Sequence, residues 1–315
     1  MNDLYSLCQL IKSHPLFNVQ RDAILGLFYS LKIRQQLDPE GLLQALKFHQ
    51  PELYEAIQKN HALFKKHCED SLKLKMNGIH LVCYGEELYP ASCYLMTDPP
   101  LTLSYRGSPA WLSDKALAVV GSREPCFESI QWMEKEFAPF CEKERPCVVS
   151  GGARGIDQKS HSVALRKSLP TVVVLPSGLE NIYPESLKEW LHAIYENGGC
   201  VLSEYAYEQR MHKHLFHHRN RLIAALGKAT LLVEARKRSG TLITAHQSLN
   251  LGRPVWIVPG HPLDPHFSGS LELVMEGAQI VRDAQDLSML ITAEMNDVKA
   301  SPAGIVKQES LLHYR

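Results

Sequence analysis

Apolar and polar positions along the chain form two textures that meet near Asn77-Gly78. Before that point apolar residues recur at helical spacing, as in "RDAILGLFYSLKIRQQL". "DPEGLLQAL" adds a start signal, with Asp38 as N-cap and Pro39 at the first helical position. "PELYEAIQKNHALFKKHCEDSLKL" reads as a further single helix opened by Pro51. After Gly78 short apolar runs alternate with helical stretches. Nine of them read as strands: "IHLVCY", "LTLSY", "ALAVVG", "CVVSG", "TVVVLP", "CVLSEY", "ATLLVEA", "PVWIVPG" and "QIVRD". Fully apolar strands separated by helices predict a mostly parallel sheet covered on both faces. The expected organisation is a helical unit over 1–77, a doubly wound, Rossmann-like α/β unit over 78–291, and a flexible tail over 292–315.

Composition narrows the class. Hydrophobic content is 45% and charged content 22%, as in ordinary globular chains. No apolar run is long enough for a membrane helix, and the first residues carry no export pattern, so a cytoplasmic protein without membrane contact is expected. The eight cysteines are scattered and form no C-x-x-C pair, which reads as reduced thiols. Net formal charge is zero, which argues against a uniform nucleic-acid coat. The distribution is not uniform, however. Between Gln209 and Leu263 nine Lys and Arg residues face one acidic residue, Glu234. A solvated basic face would explain this run, and so would an anion site.

Ligands of such sheets bind beyond the carboxyl ends of the strands. The residues there are Gly121, Ser122 and Arg123; Ser150, Gly151, Gly152 and Arg154; and Ser239, Gly240 and Thr241. Strand–glycine–helix turns present free N–H groups to an anion, and arginine adds a bidentate fork. Each loop taken alone is equally compatible with a plain tight turn; several together favour phosphate. Neither G-x-x-x-x-G-K-[ST] nor G-x-G-x-x-G occurs, so no nucleotide cofactor is expected. Asp157 and His161, four apart on a helix, read as an acid–base pair or as a cap and a packed ring, with the second favoured. Glu204 and Glu234 end strands without a partner that sequence identifies.

The motifs "VVGSR", "SGGARGID", "GLENIYP", "HHRNRLIAAL", "LVEARKRSGTLITA" and "EGAQIV" occur in the order of the DprA/Smf family, which this chain resembles from Tyr89 to Asp283. The resemblance implies an extended Rossmann-like fold preceded by a sterile-alpha-motif-like helical unit. It also implies a non-enzymatic protein that binds single-stranded DNA, protects it and loads RecA during natural transformation, acting as a homodimer. The glycine loops above, with Arg219, Asn220 and Arg221, carry over as the DNA-binding set. Two departures stand out: His217 follows Phe216 where the family has proline, and Gly269-Ser270 is followed by Leu271 instead of asparagine. No C-terminal winged helix is expected.

"MHKHLFHHRNR", Met211 to Arg221, holds four histidines, two arginines and a lysine. With no carboxylate or cysteine nearby, a metal site would need distant ligands. A hand for phosphate suits the residue types better, with Phe216, Tyr205 and Tyr207 as candidates for base stacking. Four neutralised phosphates would give a log–log salt slope of about −3. The competing reading is an enzyme of the nucleoside-monophosphate hydrolase type on the same fold. Leu242 and Ile243 stand where such an enzyme needs a carboxylate.

Overall fold

The structure is a computed structural model describing residues 3–300, the last six as backbone only. Six helices open the chain: α1 (Leu4–Ser13), α2 (Pro15–Val19), α3 (Arg21–Ile33), α4 (Pro39–His49), α5 (Pro51–Lys59) and α6 (His61–Met76). Asp38 caps α4 by accepting from Gly41 N at 2.8 Å. The stretch expected as one helix from Pro51 is two. Asn60 interrupts it, turning its side chain back onto the Ala56 carbonyl at 2.8 Å.

All nine expected strands are present: β1 (His80–Cys83), β2 (Thr102–Gly107), β3 (Ala116–Val120), β4 (Cys147–Ser150), β5 (Thr171–Val174), β6 (Cys200–Ser203), β7 (Ala229–Leu232), β8 (Val255–Ile257) and β9 (Gln279–Ile280). They form one sheet in the order β1-β2-β6-β5-β4-β3-β7-β8-β9. The strands from β6 to β9 are parallel, and β1 and β2 are antiparallel additions at one edge. Between and after the strands lie α7 (Phe127–Trp132), α8 (Ala138–Glu144), α9 (Ile156–Arg166), α10 (Leu191–Glu196), α11 (Lys213–Leu226), α12 (Gly240–Asn250), α13 (Ser268–Met275) and α14 (Ala284–Ala300).

Alternation along each strand sorts side chains onto two faces. Ala118, Val120, Val149, Val174 and Ile257 lie under α11 and α12, meeting Leu222, Ala225 and Ala245. Leu117, Val119, Val148, Leu231 and Trp256 meet Phe137, Phe140 and Val163 opposite, with Leu287 and Ile291 of α14. Leu7, Ile11, Phe28 and Leu42 of the first helices belong to the same core as the α11 side of the sheet. The texture therefore changes near residue 77 while the apolar core runs on across it. The tail expected from 292 begins as helix. α14 continues to Ala300 because its first turns are anchored in the sheet core, and residues 301–315 lie outside the described residues.

β3 is the topological switch point. β4, β5 and β6 lie to one side of it and β7, β8 and β9 to the other. The connections leaving β3 and β7 therefore diverge and open a crevice at the strand ends.

Candidate functional site

A cavity of about 750 Å3 occupies that crevice. One wall is the loop after β3, with Gly121, Ser122 and Arg123; the other is the loop after β7, running into Ser239, Gly240 and Thr241. Thr241 joins the walls by donating from Oγ1 to Gly121 O at 3.0 Å. α12 begins here without a side-chain cap, and the buried Ser239 hydroxyl has no hydrogen-bond partner. Unclaimed donors at a helix N-terminus suit an anion. Gly155 (φ +82°) lets the loop after β4 close on its neighbour, since a β-carbon there would sit 2.2 Å from Ser122 O.

α11 roofs the crevice. Lys213, Phe216, His217, Asn220 and Ile223 form its cavity face, at helical spacing. The Arg123 guanidinium lies 4.8 Å from the Phe216 ring centroid, and Tyr183 meets the same ring edge-on at 5.6 Å. Asn220 bridges to the opposite wall through Nδ2–H to Gly240 O at 3.2 Å. The His217 ring lies beside Gly240, where a β-carbon would be 3.7 Å from its Cε1.

The two arginines of α11 expected as forks are both engaged by the protein, Arg219 at the cavity edge and Arg221 away from it. Arg219 is 2% exposed, donating from Nη1 to Gly151 O at 2.7 Å and to Val174 O. Its guanidinium fills the space where a side chain on Gly151 would go, so it props the glycine loop from beneath. Burial pushes its pKa down to about 10, against the pull of Asp157. Although Arg219 borders the cavity, its bonds are spent on the protein. Arg221 is 8% exposed on the far side of α11, paired with Glu204, and its Nε lies 3.8 Å from Asp98. Burial alone would raise the Glu204 carboxyl; His218, Arg221 and Lys12 hold it below the usual range. His218 completes this group, bonded to Asp98 at 3.0 Å, and its pKa rises to about 9 through Asp98 first and Glu204 second. Arg21 of α3 pairs with Asp98, and Lys12 of α1 donates to Glu204 O at 3.0 Å, so the same group ties the first helices to α11.

The family model of DNA recombination-mediator protein A matches residues 80–292, two-thirds of the chain. The chain belongs to this family. It is 33% identical over 212 residues to DNA processing protein DprA of Bacillus subtilis, covering 67% of this chain and 70% of that one. Against the Streptococcus pneumoniae DprA it is 35% identical over 202 residues, 64% of this chain and 71% of the relative. The X-ray structure of the pneumococcal protein superposes with a TM-score of 0.73 at 29% identity, covering 92% of this chain and 98% of that one. DNA processing protein A from Helicobacter pylori, described for its unique single-stranded DNA binding mode, gives 0.60 at 28% identity over 70% of this chain and 96% of that one.

Within the family's motifs the structure separates residues that sequence groups together. Ser150 is fully buried and donates to Val119 O at 2.6 Å, so its hydroxyl serves the sheet and not the cavity. Gly151 and Gly152 pack over Arg219 and against Leu187, and Arg154 is exposed outside the cavity lining. In the late loop, Ser270 Oγ accepts from Ala235 N at 3.0 Å and Gly269 N donates to Ala235 O at 2.9 Å, bracing the loop after β7 without an asparagine. Glu234 accepts from Cys126 N and Ser129 Oγ at 2.8 and 2.7 Å and bonds His266 Nδ1 at 2.9 Å. His266 in turn meets Arg236 at 2.7 Å on the cavity wall.

Met211 and His212 of the histidine stretch also line the cavity, as do Tyr183 and Arg236, which were not named individually in the sequence. Tyr183 and Arg236 sit inside quoted motifs, which was the available signal. The stacking candidates divide: Phe216 is in the cavity, whereas Tyr205 bonds Leu215 O and His218, and Tyr207 packs against the apolar cluster beside β6. Asp157 and His161 do not pair. His161 bonds Thr171 Oγ1 at 2.7 Å, and burial pushes its pKa down to about 3. Among the described residues His212 and His214 stack on each other at 5.9 Å, His218 bonds Asp98, and no metal-ligating cluster forms. No helix there is long and apolar enough to cross a membrane.

Proposed function

We propose that the chain binds single-stranded DNA along the crevice at the switch point between β3 and β7, as a recombination mediator in natural transformation. The observation that carries the reading is the composition of the cavity wall. Arg123, Lys213 and Arg236 supply cations, the α12 N-terminus supplies N–H donors, and Phe216 under Arg123 supplies a stacking surface. The likeness to the Helicobacter pylori protein supports the same ligand. The binding set is Gly121, Ser122, Arg123, Asn220, Ser239, Gly240 and Thr241, with Phe216, Lys213 and Arg236 added. Action by binding and not catalysis fits the separation of Asp157 from His161 and the apolar Leu242 and Ile243 in the first turn of α12. Delivery of the strand to RecA, a homodimeric state and a cytoplasmic location complete the proposal.

Fluorescence anisotropy of a labelled thymine strand, with duplex competitor and varied salt, tests the reading. Three wall cations predict a log–log salt slope of about −2. Binding that duplex abolishes, or a slope near zero, would overturn it.

A further inference from the structure

Arg236 is exposed on the cavity wall, yet the segment from Asp264 to Ser270 fixes it and both its neighbours. Ala235 N donates to Ser270 Oγ at 3.0 Å, and Lys237 N donates to Ser268 Oγ at 3.1 Å. Between them the Arg236 side chain donates from Nη2 to His266 Nε2 at 2.7 Å. His266 is itself anchored. Its backbone N–H donates to Asp264 Oδ1 at 2.9 Å, and its ring Nδ1 lies 2.9 Å from Glu234 Oε1. Glu234 is fully buried and also accepts from Cys126 N and Ser129 Oγ, so its carboxylate is a fixed point. Burial alone would raise that carboxyl; the bonds from His266, Ser129 and Cys126 hold it below the usual range, so it is ionised. A guanidinium only donates and a carboxylate only accepts. His266 satisfies both at once only as the neutral ring with its proton on Nδ1 and its lone pair on Nε2. A bonded chain thus runs from a buried carboxylate through one ring to a cation on the cavity wall.

Resting on the single-strand reading above, we propose that His266 is a positioning residue for that site: it presets Arg236 on the cavity wall, and its effect on strand binding passes through Arg236. An exposed arginine left free samples many rotamers, and a phosphate that recruits it must order it at a cost. Holding the side chain in advance removes that cost. The bond to His266 takes one of the five N–H donors of a guanidinium, so the others remain for a phosphate. His266 needs no contact with the strand to act in this way.

A double-mutant cycle tests this, read by anisotropy of the labelled thymine strand at neutral pH. His266→Ala should weaken binding by about fivefold in the native background. In the Arg236→Ala background the same substitution should have no further effect. His266→Gln, whose amide offers an N–H to Glu234 and a carbonyl to Arg236, should recover the lost affinity. Native affinity in His266→Ala, an equal loss in both backgrounds, or no recovery in His266→Gln overturns the proposal. Should His266→Ala fail to fold, His266→Phe takes its place in the cycle with the same expected and contrary results, since it keeps a ring but neither bond. A native protein that binds the strand no better than Arg236→Ala overturns the positioning role and leaves the single-strand reading standing. Failure of the native protein to bind the strand at all would instead overturn that reading, and the proposal with it.

Discussion

The two long faces of α11 carry the same residue types and do opposite work. On one face Lys213, Phe216 and His217 look into the cavity, beside Asn220, whose amide is bonded to Gly240 O and to Arg219 Nε. On the other, His218 and Arg221 are tied to Asp98 and Glu204, and through them to the helices of the first unit. Arg219 lies between, its guanidinium committed to the carbonyls of Gly151 and Val174. A buried arginine is held by fixed acceptors and holds them in turn, so its removal is felt as stability. An exposed arginine such as Arg123, resting on Phe216, contributes little to the fold and is free to meet an anion. A cluster of basic residues in sequence is therefore not a measure of the charge a ligand meets.

Substitutions should separate the two faces. The largest effect is expected for Arg221→Ala, which removes the nearest partner of the buried Glu204 and leaves His218 as its remaining side-chain ion pair, and should cost about 3 kcal/mol of unfolding free energy by denaturant titration. Arg219→Ala should fall in the same class, so loss of DNA binding in either variant reports unfolding and not a lost phosphate contact. Next, Phe216→Ala should weaken strand binding by about 1–3 kcal/mol with the salt slope unchanged. Arg123→Ala should leave the melting temperature near the native value, lower affinity, and make the salt slope about 0.7 shallower. A destabilised Arg123→Ala, or a fully stable Arg221→Ala, would break the comparison.

The smallest effect is a pH dependence on the buried side. His218 has its pKa raised from 6.5 to about 9 in the fold. Its ion pairs with Asp98 and Glu204 thus add stability that is full below pH 6.5 and is lost as pH rises through about 9. His218→Gln should flatten that decline when denaturant midpoints are followed across this window.

The sheet was legible because its strands are short, apolar and punctuated by glycine and helix starts. The helical breaks were less so. Asn60 ends α5 through a side-chain bond that periodicity does not reveal, and α14 outlasts the sheet because its early turns dock on the core. At the site, the loops after β3 and β7 line the cavity, in keeping with their positions at strand ends. The separate engagement of Arg219 and Arg221 was harder to read, although the chain held a signal. Residues two apart on a helix point to nearly opposite sides, so the pair could not grip one phosphate together. Phe216, Asn220 and Ile223 follow the spacing that does share a face. What sequence could not supply was the partner of each arginine, since Gly151, Val174 and Glu204 come from three other connections.

The most direct test of the central claim is photocrosslinking of an iodouracil-substituted single strand, followed by peptide mapping. Binding in the crevice predicts adducts on the peptides carrying Phe216 and Tyr183, suppressed by excess unlabelled single strand. Adducts confined to the first six helices or to the sheet edge at β9, with none around the cavity, would contradict it.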